Sequence, residues 1–202
     1  MNPQTQVLLT DLDTTLTKAS SSRHLVMLRQ LTDLFVAGAL SYSPEQVSVF
    51  DAVFKRLTEG IEPRALIEFS GRLAGFDSAP TDIINRLSSA DDVAIAGPVL
   101  EKSNLLSDET LVGVAKTKSQ GHLLAIAART RINDAVTDVL VERGNSDVKR
   151  KVTANDGALF SETGFARLVA DARADKKFAG LVAKRKDIPA ELQPFLDMVL
   201  GG

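Results

Sequence analysis

Apolar side chains recur every three or four residues along most of the chain, which is the spacing of a helix with one buried face. Between residues 23 and 40 the residues that keep this interval are Leu25, Leu28, Leu31, Leu34 and Phe35. The only apolar run typical of a strand is the short segment 7–9. The pattern therefore predicts an all-α fold.

Capping residues mark where these helices begin. Ser43 stands before Pro44, which suits the first helical position, and Gln46 occupies the place of a capping-box partner. Ser107 and Asn133 precede later apolar stretches in the same way, as does Ser161. A helix is expected from residue 44 to near Gly60. Further helices are expected over residues 63–73, 80–87, 120–130, 148–152 and 178–182.

Two prolines lead to specific expectations about helix geometry. Pro98 lies inside the apolar segment 93–100, where it lacks an N–H donor and clashes with the preceding turn, so a kink or a restart is expected there. Pro189 is expected to open the last helix, because proline is favoured at the first helical position.

The helices also repeat. Residues 83–87, 92–93 and 105–108 align with residues 136–140, 147–148 and 159–162, at an offset of 53 to 55 residues. That offset corresponds to two units of roughly 25–30 residues, which predicts a right-handed α-α superhelix, a HEAT-like or armadillo-like solenoid of short helix pairs. The alternative is an irregular helical bundle whose pairs share only their amphipathic pattern.

This interpretation divides the chain into a polar N-terminal arm, residues 1–22, and a single helical repeat domain, residues 23–202. Because the ends of a solenoid expose apolar surface unless they are capped, a homo-oligomer is one expected state.

Asp91 and Asp92 are interpreted as a turn and a cap, and the segment 155–157 as a helix-ending turn.

Composition excludes several kinds of site. The 202 residues include 44% hydrophobic side chains and carry a net charge of −2, which is ordinary for a globular protein and does not indicate an anionic membrane as partner. Cysteine is absent, and the histidines are His24 and His122 only. Thiolate metal sites and disulfides are thus excluded, and we expect no metal and no cofactor. A signal peptide is also missing, so we expect a cytoplasmic protein.

One N-terminal motif points to catalysis. Asp11 and Asp13 follow the apolar segment 7–9, and this arrangement resembles the first motif of the haloacid-dehalogenase phosphatases. The resemblance implies a nucleophile at Asp11 and an acid/base at Asp13, with Mg²⁺. However, Thr14 stands where that family usually has glycine, and the chain lacks the alternating strands of a doubly wound sheet. We therefore expect no catalytic residues and no enzyme.

Basic residues in the second half suggest a partner surface instead. If the second helices of successive pairs line one face, this strip would contain Arg129, Arg131, Arg143, Lys149, Arg150, Lys151, Lys184 and Arg185. Nucleic-acid binding through phosphate contacts is the alternative use of such a strip. It is disfavoured by the low pI of about 5.7 and the lack of interleaved aromatic residues. The leading hypothesis is a non-catalytic scaffold or adaptor that binds a protein partner.

Three segments carry a family resemblance: residues 92–111, residues 150–161 and residues 185–189. They resemble an uncharacterised bacterial family, domain of unknown function 2336, with HEAT-like helical repeats. The likeness extends over roughly residues 23–200. It implies the helical-repeat fold and brings no activity, substrate or catalytic residue.

Overall fold

The computed structural model describes residues 21–201, and within this range the backbone forms twelve α-helices. They are α1 (Ser21–Gly38), α2 (Pro44–Leu57), α3 (Pro63–Leu73), α4 (Thr81–Ser88), α5 (Val93–Lys102), α6 (Asp108–Thr117), α7 (Gln120–Ala127), α8 (Asp134–Arg143), α9 (Ser146–Thr153), α10 (Glu162–Ala172), α11 (Lys176–Val182) and α12 (Gln193–Gly201). Extended pairing in this part of the chain is limited to a parallel bridge between Ile132 and Ala158. The predicted all-α class is confirmed.

The predicted arm 1–22 lies almost entirely outside the described residues, as do Asp11, Asp13 and the strand-like segment 7–9. The chain divides into two compact units, one up to Leu106 and one from Ser107.

In the first unit, α1, α3 and α5 pack side by side, and α2 and α4 form a second layer against them. Its core contains an aromatic cluster around the fully buried Phe35. The Phe35 ring meets Phe50 edge-on at 5.1 Å, and Phe54 lies 4.9 Å from Phe69, both measured between ring centroids. The cluster joins α1, α2 and α3 in one apolar core.

The second unit repeats one arrangement along its length. Each helix contacts the second helix after it along the chain, so α6, α8, α10 and α12 form one layer while α7, α9 and α11 form the other. Helices α6, α8 and α10 begin 26 and 28 residues apart. This interval agrees with the repeat of roughly 25–30 residues that the sequence alignment indicates.

Side-chain caps begin most helices, at the positions that the sequence indicates. Ser43 and Gln46 form the complete capping box of α2. The Ser107 and Ser161 hydroxyls accept the backbone N–H of Thr110 and Gly164, and the Asn133 side chain accepts that of Val136. These predicted helix starts are confirmed.

Of the kink or restart expected at Pro98, the restart is wrong, because α5 runs without interruption from Val93 to Lys102. The kink stays a prediction. Proline is tolerated there for two local reasons. Gly97 has no Cβ to clash with the proline ring. The carbonyl that would have accepted the missing N–H belongs to Ala94, an exposed residue of the first turn where water can replace the donor.

The last helix also begins later than expected, at Gln193 and not at Pro189. A helix starting at Pro189 would hold Pro194 in its interior, where the missing N–H and the ring both disfavour a helix. By beginning at Gln193, α12 places Pro194 in its first turn, where no intrahelical donor is required.

Candidate functional site

The layer of α7, α9 and α11 determines where the predicted basic residues lie. At one end, the Gln120 side chain donates to the Arg143 carbonyl (3.0 Å) and accepts from the Asn145 N–H (2.8 Å). At the other end, the Asn155 side chain donates to the carbonyls of Ala127 (3.1 Å) and Arg129 (2.6 Å). Helices α7 and α9 are therefore parallel neighbours with their amino ends at the same edge.

As a result, the predicted basic strip is separated into two groups. Arg143 lies just before the amino end of α9, whereas Lys149 and Arg150 lie on α9 itself, where Arg150 pairs with Asp175, the N-cap residue of α11. Arg129, Arg131, Lys184 and Arg185 follow the carboxyl ends of α7 and α11. The first group therefore faces the edge formed by the amino ends of these helices, and the second group lies at the opposite edge. Lys151 is exposed on the outer side of α9.

A pocket of about 340 Å³ lies at the amino end of α9, and we call it the α9–α11 pocket. Its lining consists of Gly144, Asn145, Ser146, Lys149, Arg150, Asp171, Ala174, Asp175 and Phe178. Two ion pairs cross it: Lys149 Nζ lies 2.6 Å from Asp171, and Arg150 pairs with Asp175. The pocket thus presents charges of both signs over an apolar base, where Phe178 is only 5% exposed.

Asp175 has two roles in this pocket. Its side chain caps α11 by accepting the Phe178 N–H at 3.0 Å, and it is also the acceptor for Arg150. The Phe178 N–H holds the pKa of Asp175 below its ordinary value, with Arg150 and the Lys177 N–H acting in the same direction and burial opposing them. Asp175 is therefore more strongly acidic than a free aspartate, which keeps both interactions charge-assisted.

The group at the carboxyl ends is more buried than the sequence suggests. The Arg185 side chain is only 7% exposed, and its guanidinium donates to the carbonyls of Thr153 (3.1 Å), Asn155 (2.9 Å) and Ala158 (2.8 Å). Arg129 is 8% exposed, and this burial lowers its pKa, while the nearby Asp108 acts in the opposite direction. Of this group, Arg131 and Lys184 are the exposed members.

Sequence reasoning missed the acidic half of the pocket and its outer cations. Asp171 lies on α10, and Asp175 is the N-cap residue of α11. They are 22 and 25 residues beyond their partners Lys149 and Arg150, so no local sequence pattern links the pairs. Lys176 and Lys177 are exposed immediately beside the pocket. The signal that could have found them is the repeat itself, because aligning α9 with α11 places these side chains at the same edge.

His122 lies in the first turn of α7 and is buried, at 1% exposure. Its Nδ1 lies 2.8 Å from the hydroxyl of Ser119, the N-cap residue of α7. The segment 155–157 is a turn, as expected. There the Asn155 side chain also accepts the Gly157 N–H at 2.9 Å.

Within residues 21–201, no three histidine, cysteine or acidic side chains are grouped so that they could hold a metal ion. None of the helices over the same range has the length and apolar character needed to cross a membrane.

The model of a bacterial family described as "Uncharacterised protein conserved in bacteria (DUF2336)" matches residues 95–196, slightly more than half of the 202 residues. The chain belongs to this family. The matched residues include the whole of α6 to α11 and every residue of the α9–α11 pocket. Comparison with curated proteins and with solved structures gives no significant match.

Proposed function

We propose that this DUF2336 protein is a non-catalytic helical-repeat scaffold that binds a protein partner on the layer formed by α7, α9 and α11. The proposal includes the finer fold assignment, a right-handed α-α superhelix of HEAT-like or armadillo-like pairs, and a cytoplasmic location. Repeats of this kind bury their shared faces against each other and leave the outer surface of each layer available for recognition.

The observation that supports this proposal is the mixture of apolar and charged side chains on the outer side of that layer. Its outer side presents Leu124, which is 40% exposed on α7, beside the exposed Asp147 and Lys151 of α9. The α9–α11 pocket adds two ion pairs over the Phe178 ring at one edge. Charges of both signs around an apolar side chain can be complemented by the charges of a protein partner, whereas nucleic-acid-binding surfaces are predominantly positive.

Site-specific photocrosslinking in the native bacterium tests the proposal. A photoreactive residue is placed at Lys151 on α9, and the matched control places it at the exposed Ala166 on α10, in the other layer. We expect one defined protein adduct from position 151 and none from position 166. Equal adducts from both positions, or none from either, would contradict the binding face.

Three further measurements separate the alternatives. Retention on heparin or DNA columns at moderate salt would favour the nucleic-acid hypothesis. An adduct with a second copy of the chain would show that the partner is the same protein, in a homo-oligomer. Hydrolysis of a phosphate monoester with Mg²⁺, lost on Asp11→Asn, would revive the phosphatase alternative. We expect neither retention on the columns nor hydrolysis.

A further inference from the structure

We propose that the α9–α11 pocket binds an acidic segment of the partner protein. This inference rests on the proposed function and adds the chemistry of the partner. Its basis is an excess of cationic side chains at the rim of the pocket, together with guanidinium donors inside it that the chain's own carboxylates do not use.

The rim is cationic. Arg173, Lys176 and Lys177 are exposed and directly flank the lining residues Ala174 and Asp175. None of these three cations forms an ion pair with any residue between 21 and 201. Inside the pocket the charges balance, since two cations face two carboxylates. The pocket and its rim together therefore carry a positive charge that an acidic ligand would complement.

Two of these lysines are adjacent at the edge of the pocket. Lys176 and Lys177 directly follow Asp175, which lines the pocket, and both are exposed. An acidic ligand in the pocket would therefore lie beside two neighbouring cationic side chains.

Arg150 supplies the directional contact. Its Nη2 is engaged by Asp175, and no other donor of this guanidinium has an acceptor in the described part of the chain. A guanidinium has five N–H donors in a planar fork and can serve two carboxylates at once. The carboxylate of a ligand can therefore add to Arg150 without displacing Asp175.

The geometry favours an acidic polypeptide over nucleic acid. Asp171 and Asp175 line the pocket and Asp147 is exposed on α9, so negative charges are interspersed among the cations. A flexible peptide can place its carboxylates between them, whereas phosphates of a strand follow one another at a fixed spacing. Phe178 is the aromatic residue that lines the pocket, and it is too buried to offer a ring face on which a base could stack.

The test uses the full chain and a fluorescein-labelled peptide of about ten residues in which glutamate and glycine alternate. Binding is followed by fluorescence anisotropy at about 150 mM salt, where the Debye length of about 8 Å is shorter than α11, which is about 10 Å long. The matched peptide has glutamine in place of glutamate. We expect at least about tenfold tighter binding of the glutamate peptide, corresponding to about 1.4 kcal/mol. Raising the salt to about 500 mM should abolish this preference.

The decisive variant is Lys176→Ala with Lys177→Ala, and its control is Lys184→Ala with Lys186→Ala, which removes the same charge at the other end of α11. We expect the first pair to weaken binding about fivefold or more and the control pair to change it less than about twofold, because exposed charges act over roughly one Debye length. Arg150→Gln should weaken binding as well, with its helical content checked by circular dichroism.

Equal affinity for the two peptides, or equal losses in the two lysine pairs, would overturn the inference. Tighter binding of a single-stranded DNA that is weakened by the same lysine variants would assign the pocket to nucleic acid instead. If position 151 crosslinks a protein but the peptide does not bind, only the pocket inference fails. If no protein crosslinks, the proposed function fails first.

Discussion

The Arg185 guanidinium lies 4.6 Å from the centroid of the Phe160 ring. The same group donates to the carbonyls of Thr153, the last residue of α9, and of Asn155 and Ala158, which follow it. One side chain therefore ties the end of α11 to the α9–α10 connection. In the absence of Arg185, three carbonyl groups would lose a charged donor and the ring would lose its cation.

Arg185→Ala should destabilise the protein by roughly 3 kcal/mol, since hydrogen bonds to a charged group are each worth about 1.5–3 kcal/mol and their effects are not additive. Urea unfolding followed by circular dichroism measures this loss. The neighbouring exposed Lys184→Ala is the control and should change stability by less than about 0.5 kcal/mol. Similar values for the two variants would show that the buried arginine is not structural.

Gly157 is required by a close backbone approach. A Cβ built on it would lie 1.9 Å from the Thr130 carbonyl oxygen, beside the Ile132–Ala158 bridge. Because backbone atoms cannot move aside as a flexible side chain can, Gly157→Ala should cost about 1–3 kcal/mol. Differential scanning calorimetry should show a lowered melting temperature.

Gly113→Ala is the matched control for this substitution. Gly113 is exposed within α6, and a Cβ built there would meet no side chain or neighbouring element within 4 Å, beyond the adjacent residues and backbone of α6 itself. Alanine is the better helix former, so this variant should be more stable by about 0.5–1 kcal/mol. A stabilising effect at both glycines would disprove the close approach at Gly157.

Local signals in the sequence were sufficient for most of the fold. The capping box of Ser43 and Gln46 spans four residues, and the caps at Ser107 and Asn133 act on N–H groups three residues away. Such interactions depend on neighbours in sequence, so patterns reveal them. The helix predicted over residues 63–73 matches α3 at both ends.

Interactions between repeats could not be predicted in the same way. Arg185 belongs to a run of basic residues, and such runs are usually solvated, yet its partners 27 to 32 residues earlier bury it. The same applies to Lys149, whose carboxylate partner Asp171 is 22 residues away. The sequence shows which charged residues the candidate site contains. Which of them form ion pairs depends on how successive helix pairs align with each other.

Ser161 combines a local cap with a bond to the preceding repeat. Its hydroxyl accepts the Gly164 N–H at 2.9 Å and donates to Asp138 of α8 at 2.7 Å. Ser161→Ala removes both, so we expect a loss of about 2 kcal/mol, of which the cap accounts for about 1 kcal/mol. Ser107→Ala removes the equivalent cap of α6 and should cost only about 1 kcal/mol. Chemical denaturation of both variants under one condition measures the difference, and equal losses would show that the Asp138 bond contributes nothing.

Asp175 should make the folding stability of the protein depend on pH. Its pKa is lowered in the folded protein, chiefly by the Phe178 N–H, so its contribution is present above the unfolded-state pKa of about 3.9 and is lost as the pH falls through the lower folded value. Asp175→Asn keeps a side-chain cap for α11 but removes the charge that pairs with Arg150. The stability difference between wild type and this variant should therefore be present at neutral pH and should close below about pH 4.

Urea midpoints measured from about pH 7 to about pH 2.5 test this expectation, because the wild-type curve should approach that of the variant only at the acidic end. Asp156→Asn is the control. It removes an exposed carboxylate that caps no helix, so its curve should run parallel to that of wild type over the whole range. A difference between wild type and Asp175→Asn that stays constant with pH would mean that the carboxylate acts through its shape and hydrogen bonds, and that its charge contributes nothing to the stability of the pocket.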